Sequence, residues 1–223
     1  TSSMLISPYE LTSESCELMA EQHLADEFPL AYGYLLRNRV ALEARESGRF
    51  RGDNWFAFGY PKSMTLFQKR KLVAPDYNNV PSFGLDESGN FFKTGYGVIL
   101  KSEIKLSERY VLGILNSRAI FAYLRIIGTS LRGGYVRFWT QYIGRLPIRQ
   151  IDFSNELEKA KHDRMVQLVE QMLDAKKKQT AAQSEADTDY WTRRCDAIDR
   201  QIDGLVYALY GLTEDEIAIV EGR

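Results

Sequence analysis

The sequence predicts an α+β fold: N-terminal helices, a central mixed β-sheet, and a C-terminal antiparallel helical hairpin. Three observations lead there. Two stretches near the C-terminus repeat apolar residues at spacings of three and four and are joined by a short polar run. Between 52 and 100, short runs of aromatic and β-branched residues are punctuated by Gly, Pro, Asn and Asp. The 223 residues are 44% hydrophobic and 26% charged, which suits one large globular domain or two small ones.

Taken in order, residues 13–27 read as a helix, with Ser13 as N-cap and acids in the first turn. Pro29 breaks it and starts a second helix over 30–47. That helix carries Leu35, Leu36, Val40 and Leu42 on one side, and Gly48 ends it. WFAFG, RKLVAP, SFGL, NFFK and YGVIL read as strands, with DESGN at 86–90 as a hairpin turn. Residues 107–127 turn helical again, with a break at Asn116 or Ser117. A glycine-rich loop then leads into a strand over Tyr135–Trp139, and Pro147 marks the end of the region. Strand alternation would put Tyr135, Arg137 and Trp139 on one face and Val136 and Phe138 on the other. The hairpin helices cover 154–178 and 188–210, carrying Met165, Leu168, Val169, Met172 and Leu173 against Cys195, Ile198, Ile202, Leu205, Val206 and Leu209. A last short helix starts near Thr213, with acids at its positive end. The expected division is one domain over 1–150 and a helical hairpin over 151–223.

Several function classes are excluded early. No run of about 18 apolar residues exists, so no membrane is expected. The N-terminus lacks the basic start and apolar stretch of a signal peptide. Cys16 and Cys195 form no CxxC pair, which argues against a zinc module or disulfide scaffold and fits a reducing compartment. The expected location is therefore cytoplasmic. Only His23 and His162 are available for metal or imidazole chemistry. There is no GxGxxG or GxxxxGK[ST] cradle, no serine nucleophile elbow and no Pro-Pro dipeptide. The last absence excludes from this chain the catalytic tetrapeptide of adenine amino-methyltransferases. The chain opens on Thr1, a start expected of a processed product or of a piece of something longer.

The net charge of −1 hides an asymmetry. Residues 1–50 carry −4, residues 51–150 carry +9 and residues 151–223 carry −6. Polyanion binding depends on local potential, so the basic middle is the better clue. It is also rich in aromatics, from Trp55 to Tyr142. Cations meet phosphates and rings meet bases or sugars, which suits nucleic acid; the alternative is a β-rich core with solvated charge. The clearest polar constellation is Arg132-Gly133-Gly134-Tyr135-Val136-Arg137-Phe138-Trp139. Its glycines permit close backbone approach, and arginine grips phosphate or the guanine edge bidentately. Lys69-Arg70-Lys71 is a second basic cluster. Asp76, Glu103 and Lys105 loosely mimic the acid pair and lysine of metal-dependent nucleases, with a solvated turn as the alternative.

Six segments, in this order, resemble the TaqI-like C-terminal target-recognition domain of adenine-specific DNA methyltransferases and type IIG restriction–methylation enzymes. They are FPLAYGYLLRNRVALEAR with GDNWFAFGYPKS, then KLVAP, FGLDESGNFF, YVLGILNSRAIFAYL, GGYVRFWTQYIGRLPI, and the helical HDRMVQLVEQML with IDRQIDGLVYALYGLTEDEI. Tyr60 departs from the arginine that often precedes the family's proline. The resemblance implies an excised recognition region that reads a short duplex DNA sequence, with 1–150 as the DNA target-recognition domain and 151–223 as a helical spacer or docking arm. A catalytic domain outside this chain would bind S-adenosylmethionine, methylate adenine and, in some enzymes, accompany cleavage. No cofactor is implied for the chain itself. The expected DNA-facing residues are Arg132, Arg137, Tyr135, Trp139, Gln141, Lys93, Tyr96, Lys69, Lys71 and Trp55, mainly in the major groove. Two other readings stand beside it: a specificity module that docks on a separate methylase, and the nuclease of Asp76, Glu103 and Lys105.

Overall fold

A computed structural model describes residues 5–92 and 94–223. The chain forms two compact units, Thr1–Lys69 and Arg70–Arg223.

The first unit opens on a strand pair, β1 (Tyr9–Leu11) and β2 (Cys16–Leu18), in antiparallel register. The helix expected over 13–27 therefore begins only at α1 (Glu21–Glu27). The reason is local. The Thr12 N–H bonds Ser15 O at 3.0 Å and its hydroxyl accepts the N–H groups of Glu14 and Ser15, at 3.2 and 2.8 Å, so residues 12–15 close the turn between two paired strands. Ser13 is not an N-cap. Pro29 opens α2 (Pro29–Arg37), its missing N–H costing nothing at the first helical position. The expected 30–47 helix is in fact α2, α3 (Arg39–Glu43) and a last turn, α4 (Arg45–Gly48), where Glu46 and Ser47 take positive φ. Leu35 is buried, but Leu36 and Val40 are exposed, so the expected single apolar side is not formed. WFAFG is a run of turns rather than a strand. Trp55, Phe56 and Ala57 are buried consecutively, and Arg45 donates to the carbonyls of Trp55 and Ala57, both at 2.9 Å. These residues complete two small cores with Tyr9, Phe50, Leu24, Leu35 and Met64, the last from α5 (Met64–Phe67).

The second unit holds a three-stranded antiparallel sheet with β3 (Lys71–Ala74) between β5 (Gly84–Asp86) and β6 (Tyr96–Val98). A separate pair joins β4 (Tyr77–Asn78) to β7 (Val136–Arg137), so every strand pairing among the described residues is antiparallel rather than mixed. DESGN does make a turn, with Asp86 accepting from Ser88 and Asn90. It is not a hairpin turn, because β5 and β6 lie on opposite sides of β3, and Phe91 and Phe92 form no strand.

Helices supply most of this core. α6 (Glu108–Asn116) and α7 (Arg118–Ile127) meet at a 65° bend, where Ser117 caps α7 through the N–H of Ile120. Gly113 lets α6 lie against the hairpin; a Cβ there would sit 2.9 Å from Val169 Cγ2. The hairpin is α9 (Glu156–Ala181) and α10 (Glu185–Tyr210), followed by α11 (Glu214–Glu221). Gln179–Thr192 near the turn and Arg164–Gln201 further along tie its helices antiparallel. Met165, Leu168 and Val169 pack with Ile198, Ile202 and Val206 in the same core as Leu72, Tyr110 and Phe138. Near 150 the chain runs through this core rather than out of it. Leu146 and Ile151 are buried, and Tyr210 and Tyr110 bond the carbonyls of Pro147 and Arg149. Compactness thus divides the chain at 69/70, not at 150. Among the described residues, no single helix is long and apolar enough to cross a membrane.

Candidate nucleic-acid interface

The Arg-Gly-Gly segment is the tip of a hairpin. Leu131 N–H bonds Tyr135 O at 2.7 Å, Arg137 N–H bonds Thr129 O at 3.1 Å, and Ser130 bridges to Val136. Gly133 and Gly134 both take positive φ, near +80°, which a side chain would strain. At the base, Gly128 leaves room for the Val136 side chain against the end of α7; a Cβ would lie 2.7 Å from Leu124 O and 2.8 Å from Val136 Cγ2. The returning strand then alternates as its pattern predicts. Val136 and Phe138 are 1% and 0% exposed, and Phe138 packs against Phe83 and Phe121. Tyr135, Arg137 and Trp139 lie on the opposite, partly open face.

Asp76 sits at the centre of that face. Its Oδ2 pairs with Arg137 Nη1, while its Oδ1 accepts from Trp139 Nε1 at 3.0 Å and from Tyr96 OH at 3.2 Å. Its own carbonyl takes the Phe138 N–H at 2.9 Å. Burial, with the Asp76 charge beside it, pushes the Tyr96 phenol up. The Arg137 guanidinium lies 5.7 and 5.1 Å from the ring centres of Tyr77 and Trp139, within cation–π reach. Tyr135 meets Tyr77 edge-on, and Trp139 stacks parallel to Tyr142 from α8 (Thr140–Ile143). The Tyr142 hydroxyl is 2.6 Å from Thr129 Oγ1, and its hydrogen bonds to Thr129 and Gln141 pull its pKa down.

Five expected residues thus gather here: Arg137, Tyr135, Trp139, Tyr96 and Gln141. Arg132 is exposed at the hairpin tip. Lys93 lies outside the described residues. Lys69 is exposed at the end of the first unit. Two expectations are corrected. Trp55 is fully buried in the first unit, with the Arg39 guanidinium 4.9 Å from its ring, so it offers no face to a partner. Lys71 is buried and paired with Asp86 directly across the β3–β5 register. Burial alone would raise the Asp86 carboxyl, but Lys71, Ser88 and Asn90 outweigh it and hold it low. Its neighbour Arg70 is spent on Glu87 and Glu108.

The nuclease arrangement is not assembled. Asp76 uses both oxygens as above; Glu103 and Lys105 are exposed and neither bonds to it. No group of three metal-ligating side chains occurs among the described residues. The contacts of Asp76, Tyr77 and Tyr142 carry no local sequence signal; the two tyrosines show there only as members of an aromatic run. The charge asymmetry also acquires structure. Arg109, Arg118 and Arg149 pair with Glu170, Asp203 and Glu158, so part of the basic middle binds the acidic hairpin. Lys101, Lys105, Arg125, Arg132 and Arg145 are exposed and make no ion pair among the described residues.

The sequence profile of the TaqI-like C-terminal specificity domain matches residues 37–148, a stretch that includes the Asp76–Arg137 cluster. Over 98% of its length the chain is 24% identical to the type II restriction enzyme and methyltransferase RM.Eco57I of Escherichia coli, of which it covers 23%. It is 26% identical to the type II methyltransferase M.BanIII of Aneurinibacillus aneurinilyticus, over 59% of the chain and 23% of that protein. It is 33% identical to the type II methyltransferase M.HindII of Haemophilus influenzae, over 34% of the chain and 14% of that protein. The chain thus spans less than a quarter of the length of these relatives.

Proposed function

The chain belongs to the family of TaqI-like C-terminal specificity domains, and on that premise we propose that it reads a short duplex DNA sequence for a cytoplasmic restriction–modification enzyme. That enzyme methylates adenine from a separate domain, which binds S-adenosylmethionine; in a single-chain restriction–methylation enzyme it also cleaves. Residues up to 150 do the reading, while 151–223 act as a spacer and docking arm without touching bases. One observation supports this most. A hairpin inside the matched segment presents Tyr135, Arg137 and Trp139 on one open face, with exposed Arg132 at its tip and exposed Arg125 and Arg145 on the flanking segments. Cations there engage phosphates, and the Arg137 face reaches base edges in the major groove.

Fluorescence anisotropy on duplex DNA at increasing salt tests the reading. With about 4–6 phosphates engaged, log affinity falls with log salt at a slope of roughly −4 to −5. An affinity flat from low to moderate salt removes the electrostatic basis. Beside the docking arm, the first unit offers the catalytic domain a second surface, where Leu30, Tyr34 and Val40 of α2 and α3 stand exposed. Val40→Asp weakens binding to a separately produced catalytic domain if those side chains make the contact; unchanged binding places the contact elsewhere.

A further inference from the structure

We infer that Asp76 is a positioning residue for base reading: it holds one side of the Arg137 guanidinium so that the other is presented as a fixed fork to the edge of a guanine. The inference rests on the DNA-reading function proposed above.

The geometry carries it. Asp76 takes only Nη1 of Arg137, and the Nε–H and Nη2–H donors have no partner among the described residues. Those two donors form the side-on fork of a guanidinium, the shape that matches the N7 and O6 acceptors of guanine in the major groove. The rings of Tyr77 and Trp139 flank the guanidinium and limit its swing. Asp76 itself is fixed by donors from two elements, Tyr96 of β6 and Trp139 just past β7, and by its main-chain bond to Phe138.

Charge separates this role from a simple phosphate clamp. A carboxylate amid cations repels DNA phosphates, so it lowers affinity for every sequence. Its gain is in orientation, and therefore in discrimination. An arginine kept for phosphate binding would gain nothing from such a partner. Removing the charge must then act in opposite directions on the two readouts.

The test begins by selecting a preferred site from random duplexes with the full 223-residue chain. Affinities follow for Asp76→Asn, Arg137→Ala and the double variant, on that site and on each single-base-pair substitution, with thermal melts alongside. Asp76→Asn should lose roughly tenfold discrimination at one G·C pair, the same pair relaxed by Arg137→Ala. Its affinity for unrelated DNA should hold or rise. The double variant should discriminate no worse than Arg137→Ala alone. Wild-type discrimination in Asp76→Asn, or an even loss across all positions, overturns the inference while leaving the DNA-reading function standing. A wild-type chain that selects no consensus overturns that function and the inference with it. Should Asp76→Asn fail to fold, Tyr96→Phe and Trp139→Phe each remove one donor to Oδ1 and leave the Arg137 pair. A smaller loss at the same base pair supports the inference; unchanged discrimination in both overturns it.

Discussion

Two aromatic segments, NWFAFG at 54–59 and GGYVRFW at 133–139, look alike in sequence and do opposite things. In the first, burial is continuous: Trp55, Phe56 and Ala57 all lie inside, and the local arginine, Arg45, spends its donors on their carbonyls. In the second, burial alternates. Val136 and Phe138 go in, Tyr135, Arg137 and Trp139 stay out, and the arginine pairs with a carboxylate instead. Trp55 is 0% exposed and Trp139 38%. Aromatic content near glycine does not distinguish a core from an open face. What distinguishes them is whether a partner strand enforces a period of two, as β4 does for β7.

The comparison breaks most visibly on the two tryptophans. Trp55→Ala should cost about 3–5 kcal/mol, the range for emptying a large buried site. Trp139→Ala should cost about 1 kcal/mol of stability, the worth of its indole hydrogen bond, and weaken DNA binding instead. Urea unfolding and anisotropy on the same two variants settle it. Equal destabilisation by both would mean the 133–139 face is core after all.

The hairpin sharpens the same contrast from the other side. Ile202 is buried among Leu168, Ile198 and Val206. Ile202→Ala should cost about 2–4 kcal/mol and leave base preference untouched. A changed preference with stability intact would move α9 and α10 into the reading surface.

How far this was legible in the sequence follows from the range of the forces involved. Long amphipathic helices carry their signal in every turn, so the α9–α10 hairpin and the Ser117 break could be read directly. So could the inward and outward faces of 135–139, because a strand's period is local. The hairpin at 9–18 was missed because its pairing, Tyr9 with Leu18 and Leu11 with Cys16, shows only in the strand register. Lys71 reads as a DNA-facing base and Asp86 as the start of a turn; only the β3–β5 register shows them opposed and buried. Arg137 and Asp76 are 61 residues apart, and no local pattern joins them. The side chains gathered around Arg137 could be named from the sequence, while their contacts with Asp76 could not.

Two arginine–aspartate pairs extend the comparison to pH. Asp203 accepts the Arg118 N–H at 2.8 Å, and the Arg118 Nε lies 3.1 Å from its other oxygen without the alignment of a hydrogen bond. Burial outweighs both contacts and pushes its carboxyl up to about 6. The folded state therefore holds this proton more tightly than the unfolded chain, whose aspartates titrate near ~3.9. The resulting cost is fully present above pH 6 and is relieved as pH falls toward 4. Two pKa units correspond to about 2–3 kcal/mol. Denaturant unfolding of the wild type and Asp203→Asn at pH 4.5 and pH 7 measures it. The wild type should gain on the variant at the lower pH; an unchanged difference would refute the burial argument.

The smallest effects separate the arginines within the hairpin. Arg137 lies on the ordered face, held by Asp76 and two rings, whereas Arg132 is exposed on a tip of two positive-φ glycines. A held guanidinium suits a base edge, which demands direction; an unheld one suits a phosphate, which accepts charge from many directions. Arg137→Ala should cost about 1–3 kcal/mol on the preferred duplex and relax one position. Arg132→Ala should weaken all sequences about equally and reduce the salt slope by about one. If Arg137 merely covers apolar surface with its stem, its variant will melt earlier and discriminate as before. Titration of both variants against matched and single-substituted duplexes at two salt concentrations separates these outcomes. Discrimination unchanged in both would leave Tyr96, Gln141 and the loops of the 70–100 sheet as the reading residues, and the open face of β7 as a contact for the backbone alone.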